Sequence, residues 1–177
     1  MSKLDIIREV LHSRYEAPDQ NRIIEEHIGR GGKPVLPTVR NIHSPHGINH
    51  LLYRFTPDAG QEILPFFADK SGLKKLCDYV LFAEEGKNFF CLLLEMKEGS
   101  GGAKQQLKAA EAFVHYVVNA AQRIGKAITP GDVNIRLISV NERGKAKPSQ
   151  TEEEPEYDSD YWTKLKTSAV RLPQLLK

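Results

Sequence analysis

The spacing of apolar residues changes several times along the chain, and each change marks an expected element. Ser2 followed by Asp5 forms a helix start, behind which Leu4, Ile7, Leu11 and Tyr15 recur at helical intervals. Pro18 and Asp19 open a second expected helix, with Ile23, Ile24 and Ile28 on its apolar side and Gly29 and Gly31-Gly32 closing it. Three prolines and a glycine predict an irregular segment over 33–47. Residues 51–55 and 63–68 read as strands about the turn-like Pro57-Asp58-Ala59-Gly60. Two stronger strands, 78–84 and 88–97, flank Glu85-Gly86-Lys87 and lead into the glycine-serine hinge at 99–102.

A long helix is expected over 103–124, because Leu107, Ala110, Val114, Val117, Ala121 and Ile124 step by threes and fours. Residues 133–140, VNIRLISV, read as a final strand. Beyond them lie the acidic run TEEEPEYDSD and a short amphipathic segment at 161–172, stopped by Pro173. The expected layout is therefore mixed α/β, with hairpin strands meeting a strand–helix–strand crossover.

Side chains alternate faces along a strand, so Glu95 and Lys97 share a face with Cys91 and Leu93, while Phe90, Leu92, Leu94 and Met96 take the other. A two-residue loop at Gly86-Lys87 sets the register: Glu85 lies opposite Asn88, Phe82 opposite Cys91, and Asp78 opposite Glu95. That register brings two carboxylates and an ammonium group together at the strand ends. A loop one residue longer would break the match.

Composition changes this picture little. The chain of 177 residues is 40% hydrophobic and 27% charged, which suits one folded domain and excludes fibrous or disordered classes. We expect a single domain over 1–150, with the acidic linker and amphipathic segment over 151–177. The longest apolar run, at 89–94, is strand length, and the start carries acidic residues where a secretory leader needs apolar ones, so the expected setting is cytoplasmic, away from membranes. Cys77 and Cys91 are too few and too far apart for a disulfide scaffold or a zinc knuckle. Six acidic and four basic residues over 151–177 leave the first 150 residues mildly basic. Nucleic-acid contact must then come from clusters such as Lys70/Lys74/Lys75, Lys104/Lys108 or Arg143/Lys145/Lys147.

Opposed carboxylates repel unless a positive charge lies between them. A divalent cation is the natural candidate, and Asp78, Glu95 and the Met96 carbonyl are hard oxygen donors suited to Mg²⁺ or Mn²⁺. A lysine on the same face can orient an attacking water and offset charge on a phosphate. These are the requirements of metal-dependent phosphodiester hydrolysis.

The run CDYVLFAEEGKNFFCLLLEMKEGSGGAKQQLKAAEAFVHYVV resembles the core of the PD-(D/E)XK nuclease superfamily: an acid on one strand, Glu-x-Lys on the next, then a helix opening with lysine and glutamine. The resemblance covers residues 76–118 directly and continues to 140 by the order of elements. It implies a restriction-endonuclease-like α/β fold with an αβββαβ core, its mixed central sheet flanked by helices, here with an extra N-terminal helix and a C-terminal tail. It implies Asp78, Glu95 and Lys97 as the catalytic set, with Gln106, or Gln105 in its place, beside the site. Some members add a glutamate from the first core helix, for which Glu25 or Glu26 stands here, with Glu9 behind them. Cys77 replaces the name-giving proline, and Tyr116 lies too far from Gln106 to reproduce the Gln-x-x-x-Tyr of the RecB-like branch.

The resemblance implies an Mg²⁺-dependent nuclease acting on DNA, with RNA left open, in restriction, repair or phage defence, and with a second copy or a larger partner supplying specificity. The alternative is the same fold with an idle site, serving as a nucleic-acid-binding or protein-interaction module. Gln106 reads equally well as a water-facing helix-start residue, and Glu25 and Glu26 as solvated helix charges. His43, His46 and His50 have zinc-like spacing, but Pro45 and Gly47 place them on a loop without a nearby cysteine. The 152–160 run reads as a disordered linker or as a cover for a basic surface.

Overall fold

The computed structural model describes residues 1–28, 32, 34–55, 64, 68, 70, 75–96, 102–141, 155–166 and 169–177. It is a mixed α/β structure with two sheets and three α-helices among those residues. Helix α1 (Lys3–Val10) starts as expected, with Ser2 and Asp5 capping each other reciprocally. Strands β1 (Arg22–Ile28), β2 (Pro34–His43) and β3 (Ile48–Arg54) follow, then the hairpin of β4 (Tyr79–Glu85) and β5 (Asn88–Met96). Helix α2 (Ala103–Arg123) crosses over to β6 (Val133–Asn141), and β7 (Trp162–Lys166), β8 (Ala169–Arg171) and the one-turn α3 (Leu172–Leu175) complete the chain.

The larger sheet has the order β3-β4-β5-β6-β7, antiparallel from β3 to β5 and parallel from β5 to β7. One face buries Val80, Phe82, Cys91, Leu93 and Leu137 against Ile7 of α1 and the Leu107, Ala110, Val114, Val117, Ala121 stripe of α2. The other buries Leu81, Leu92, Leu94 and Ile138 against Ile23, Ile42, Val170 and Leu172, which belong to the three-stranded sheet β1-β2-β8 and to α3. The molecule thus layers helices, a five-stranded sheet and a small sheet, and the central strands read as nearly unbroken apolar runs because both faces are covered.

Two expectations about the N-terminal third are corrected. The second helix is strand β1: Ile23 is buried against the large sheet, while the backbone of Ile24 exchanges hydrogen bonds of 3.0 Å with the Tyr79 hydroxyl. Glu25 and Glu26 therefore sit on a strand and not on a helix. β-Branched neighbours favour a pleated, partly buried surface, and that contact outweighs their helical spacing. The 33–47 segment contains the ten-residue strand β2. Its prolines are accommodated because Pro34 opens the strand and Pro37 lies where the β1–β2 register slips between Glu25 and His27. The expected strand at 63–68, apart from Leu64 and Ala68, the turn at 57–60 and the hinge at 99–101 fall outside the described residues, as does the first part of the acidic run.

The C-terminal stretch is fixed to both sheets. β7 pairs with β6, and β8 pairs with β2. Arg136 of β6 anchors the segment leading into β7: its guanidinium lies 4.7 Å from the Tyr161 ring centre and 5.4 Å from that of Tyr157, and donates to the Lys177 carbonyl at 2.9 Å. The Tyr157 hydroxyl donates to the Leu175 carbonyl at 3.1 Å, and burial pushes its pKa up to about 12.

Candidate metal and phosphate site

Gly86 has a φ of 60°, which a two-residue hairpin loop requires at its first position and which glycine adopts without strain. The register follows: Glu85 pairs with Asn88, Phe82 with Cys91 and Tyr79 with Leu94. One step further along the same ladder, Asp78 falls opposite Glu95. The Asp78 carbonyl accepts the Phe55 N–H at 3.1 Å, and one carboxylate oxygen accepts the Met96 N–H at 2.7 Å, locking the side chain at the end of β5.

Glu95 is 3% exposed, an unusual position for a carboxylate, and Asp78 is half-buried. Glu95 shares the helix-side face with Cys91 and Leu93. The fully buried Cys77 thiol reports on both acids. Desolvation pushes its pKa up, and the negative charges of Glu95 and then Asp78 push it further. Two carboxylates thus bear on one buried spot.

Lys97 lies outside the described residues. Gln106 is half-buried one turn into α2, whereas Gln105 is exposed. The glutamates expected from a core helix are engaged elsewhere: Glu25 bonds Arg40 at 3.3 Å, Glu26 bonds Arg54 at 2.8 Å, and Glu9 pairs with Lys126. Arg40 is 2% exposed, so the Glu25–Arg40 pair is a buried structural charge pair. The histidines do not converge as a metal set among the described residues, and a ring nitrogen of His50 lies 2.8 Å from the Gln20 carbonyl. Lys70 and Lys75 are exposed, Lys108 pairs with Glu111 at 3.0 Å, and Lys74 and the 143–147 cluster lie outside the described residues.

The parallel register extends the row. Glu95 pairs with Ser139 on β6, and Ser139 with Lys164 on β7. Cα partners project to the same face, so Asp78, Glu95, Ser139 and Lys164 form a line across four neighbouring chain segments, each about 4.8 Å from the next. The first turn of α2 adjoins its far end, where Gly102, Ala103, Lys104, Gln105, Ser139, Trp162 and Lys164 line a cavity of about 320 Å³. The crevice beyond the carboxyl ends of parallel strands, facing a helix N-terminus, is a common ligand position in α/β sheets.

Ser139, Trp162 and Lys164 were missed as site residues. A signal for Ser139 existed, since it is the polar member of the alternating set Val133, Ile135, Leu137, Ser139. Trp162 and Lys164 carried none, because only pairing with β6 brings them to this face. The acidic run does cover a basic group: Asp160 and Asp158 lie 2.9 and 3.2 Å from Lys104. These ion pairs raise the pKa of Lys104, Asp160 first, and lower that of Asp160.

Asp78, Glu95 and the Met96 carbonyl are hard oxygen donors of the kind a divalent cation takes, although no group of three or more His, Cys, Asp or Glu side chains gathers among the described residues. Among the described residues no helix is long and apolar enough to cross a membrane. No family model, curated protein or solved structure matches the chain.

Proposed function

We propose that this protein is a metal-dependent nuclease with a restriction-endonuclease-like core, hydrolysing DNA phosphodiester bonds. The observation that supports the reading is the hairpin register, which, continued one step past Tyr79 and Leu94, brings Asp78 opposite the buried Glu95. The sequence of elements supports it: with β1 and β2 set aside as an insertion, the chain runs α1, β3, β4, β5, α2, β6 in the order αβββαβ. Asp78, Glu95 and the Met96 carbonyl would hold Mg²⁺ or Mn²⁺. When bound, the ion supplies Lewis acidity that lowers the pKa of water and offsets charge on the phosphate.

The chain's own residues do the rest. The Asp78–Met96 hydrogen bond fixes one carboxylate, which limits reorganisation during reaction. Burial fixes the other. Lys97 orients the water whose oxygen bonds to phosphorus as the ester P–O bond breaks, the departing sugar oxygen taking a proton. Gln106, half-buried one turn into α2, would support the site. The test is nicking of supercoiled plasmid with Mg²⁺. Cutting should stop with chelator and with Asp78→Asn, which keeps an acceptor for the Met96 N–H. A wild-type rate in that variant would exclude the mechanism, and no cutting by the wild type with either metal would leave the idle-site alternative.

A further inference from the structure

The cavity at the start of α2 is lined by donors of positive potential. Helix α2 begins at Gly102 without a side-chain cap and with no acid in its first turn, so the N–H groups of Ala103, Lys104 and Gln105 form an uncompensated positive end. The ammonium groups of Lys104 and Lys164 flank it, lying 5.2 and 5.0 Å from the Trp162 ring centre. Two buried polar groups make this more than a helix terminus. Ser139 is 1% exposed, lines the cavity, and makes no side-chain hydrogen bond among the described residues. The Trp162 Nε1–H is fully buried and has no hydrogen-bond partner among the described residues. A buried donor left in this way is costly unless a ligand accepts from it.

We propose that this cavity binds a phosphate group of a nucleic-acid strand, held by the first-turn N–H groups of α2, Lys104, Lys164 and the Ser139 hydroxyl. The assignment to a nucleic acid rests on the nuclease reading, because Ser139 is the immediate cross-strand neighbour of Glu95 and a phosphate here lies next to the one to be cut. The occupant of the cation in the structure is itself anionic: the Asp158 and Asp160 carboxylates stand on Lys104, where a phosphate would compete with them. Asp158 also accepts the N–H groups of Asp160 and Trp162 and so holds the turn, whereas the Asp160 carboxylate bonds only Lys104 among the described residues. The cavity volume of about 320 Å³ exceeds one phosphate and leaves room for the attached sugar.

Trp162 is the sole tryptophan in the chain, so its fluorescence reports directly on the cavity. The full-length protein in EDTA is titrated with inorganic phosphate and with short single-stranded DNA bearing a 5′-phosphate, bearing a 5′-hydroxyl, or circularised. The expected result is a saturable change with DNA, its affinity at least ten-fold weaker in Lys104→Ala/Lys164→Ala and several-fold tighter in Asp160→Asn, with circular dichroism unchanged in both. Preference for the 5′-phosphorylated strand assigns the cavity to a chain end; equal binding of the circle assigns it to an internal phosphate. Absence of any saturable change, or wild-type affinity in the double lysine variant, overturns the proposal. The two readings fail separately. Retained binding in Asp78→Asn with no cutting by the wild type removes the nuclease reading alone, and cutting that depends on Asp78 without tryptophan response removes the cavity alone.

Discussion

The two sheets pack on one another yet treat their acids in opposite ways. Glu25 of the small sheet meets Arg40 of the neighbouring β2 at 3.3 Å, and Glu26 meets Arg54 of β3 in the large sheet at 2.8 Å, so each carboxylate faces an opposite charge. On the large sheet, the β4–β5 register continued one step past Tyr79 and Leu94 sets Asp78 opposite Glu95, and both charges bear on the buried Cys77 thiol. Opposite charges across a strand pair stabilise the fold; like charges across it cost stability and persist where a cation is to be bound. Under the proposed function, the contrast divides acids paired with arginines from acids set to hold a cation.

The largest expected effect sharpens this contrast in rate. Asp78→Asn and Glu95→Gln should lower DNA cutting on the order of 10³-fold, whereas Glu25→Gln should leave it within about two-fold per folded molecule, as measured by plasmid nicking at low temperature. Stability should run the other way. Glu25→Ala removes the carboxylate that bonds the 2% exposed Arg40 and should cost about 3 kcal/mol. Thermal unfolding should then fall by roughly 6–12 °C, while Glu95→Gln relieves repulsion and should leave the melting temperature equal or higher. A fall in the Glu95→Gln melting temperature comparable to that of Glu25→Ala would erase the distinction between the two sheets.

Acid should loosen the C-terminal closure. The Trp162 and Asp160 N–H groups and the Lys104 ammonium hold the Asp158 carboxyl below the usual carboxylate range, and Lys104 does the same for Asp160. A depressed folded pKa stabilises above the unfolded value, and that contribution is lost as pH falls through the lower folded value. Trp162 fluorescence should therefore change below about pH 4, and Asp160→Asn should shrink the change. The smallest effects concern exposed or inert groups. Glu26→Ala should alter stability by less than about 1 kcal/mol. Burial raises both thiols, so Cys77 and Cys91 should resist a thiol reagent at pH 8 in the native protein and react only on unfolding.

The legibility of the chain follows the same division. Gly86 fixed the hairpin loop length, and its register followed from the pleat alone, so the Asp78–Glu95 opposition could be read before any fold was known. The α2 stripe was equally readable because 3.6-residue spacing over 21 residues has no strand equivalent. Strand β1 was not. Ile23, Ile24 and Ile28 fit a helix or a strand, and only burial against the large sheet decides between them. The far end of the candidate site was hidden for a different reason: Trp162 and Lys164 reach it through the parallel pairing of β7 with β6, a contact between segments with no local mark.

The central claim is that Asp78 and Glu95 share one divalent cation. Calorimetric titration of the wild type with Mn²⁺, beside Asp78→Asn and Glu95→Gln, measures it directly. A saturable heat in the wild type that vanishes in both variants is the predicted result; the same heat in all three proteins, or none in any, would contradict it.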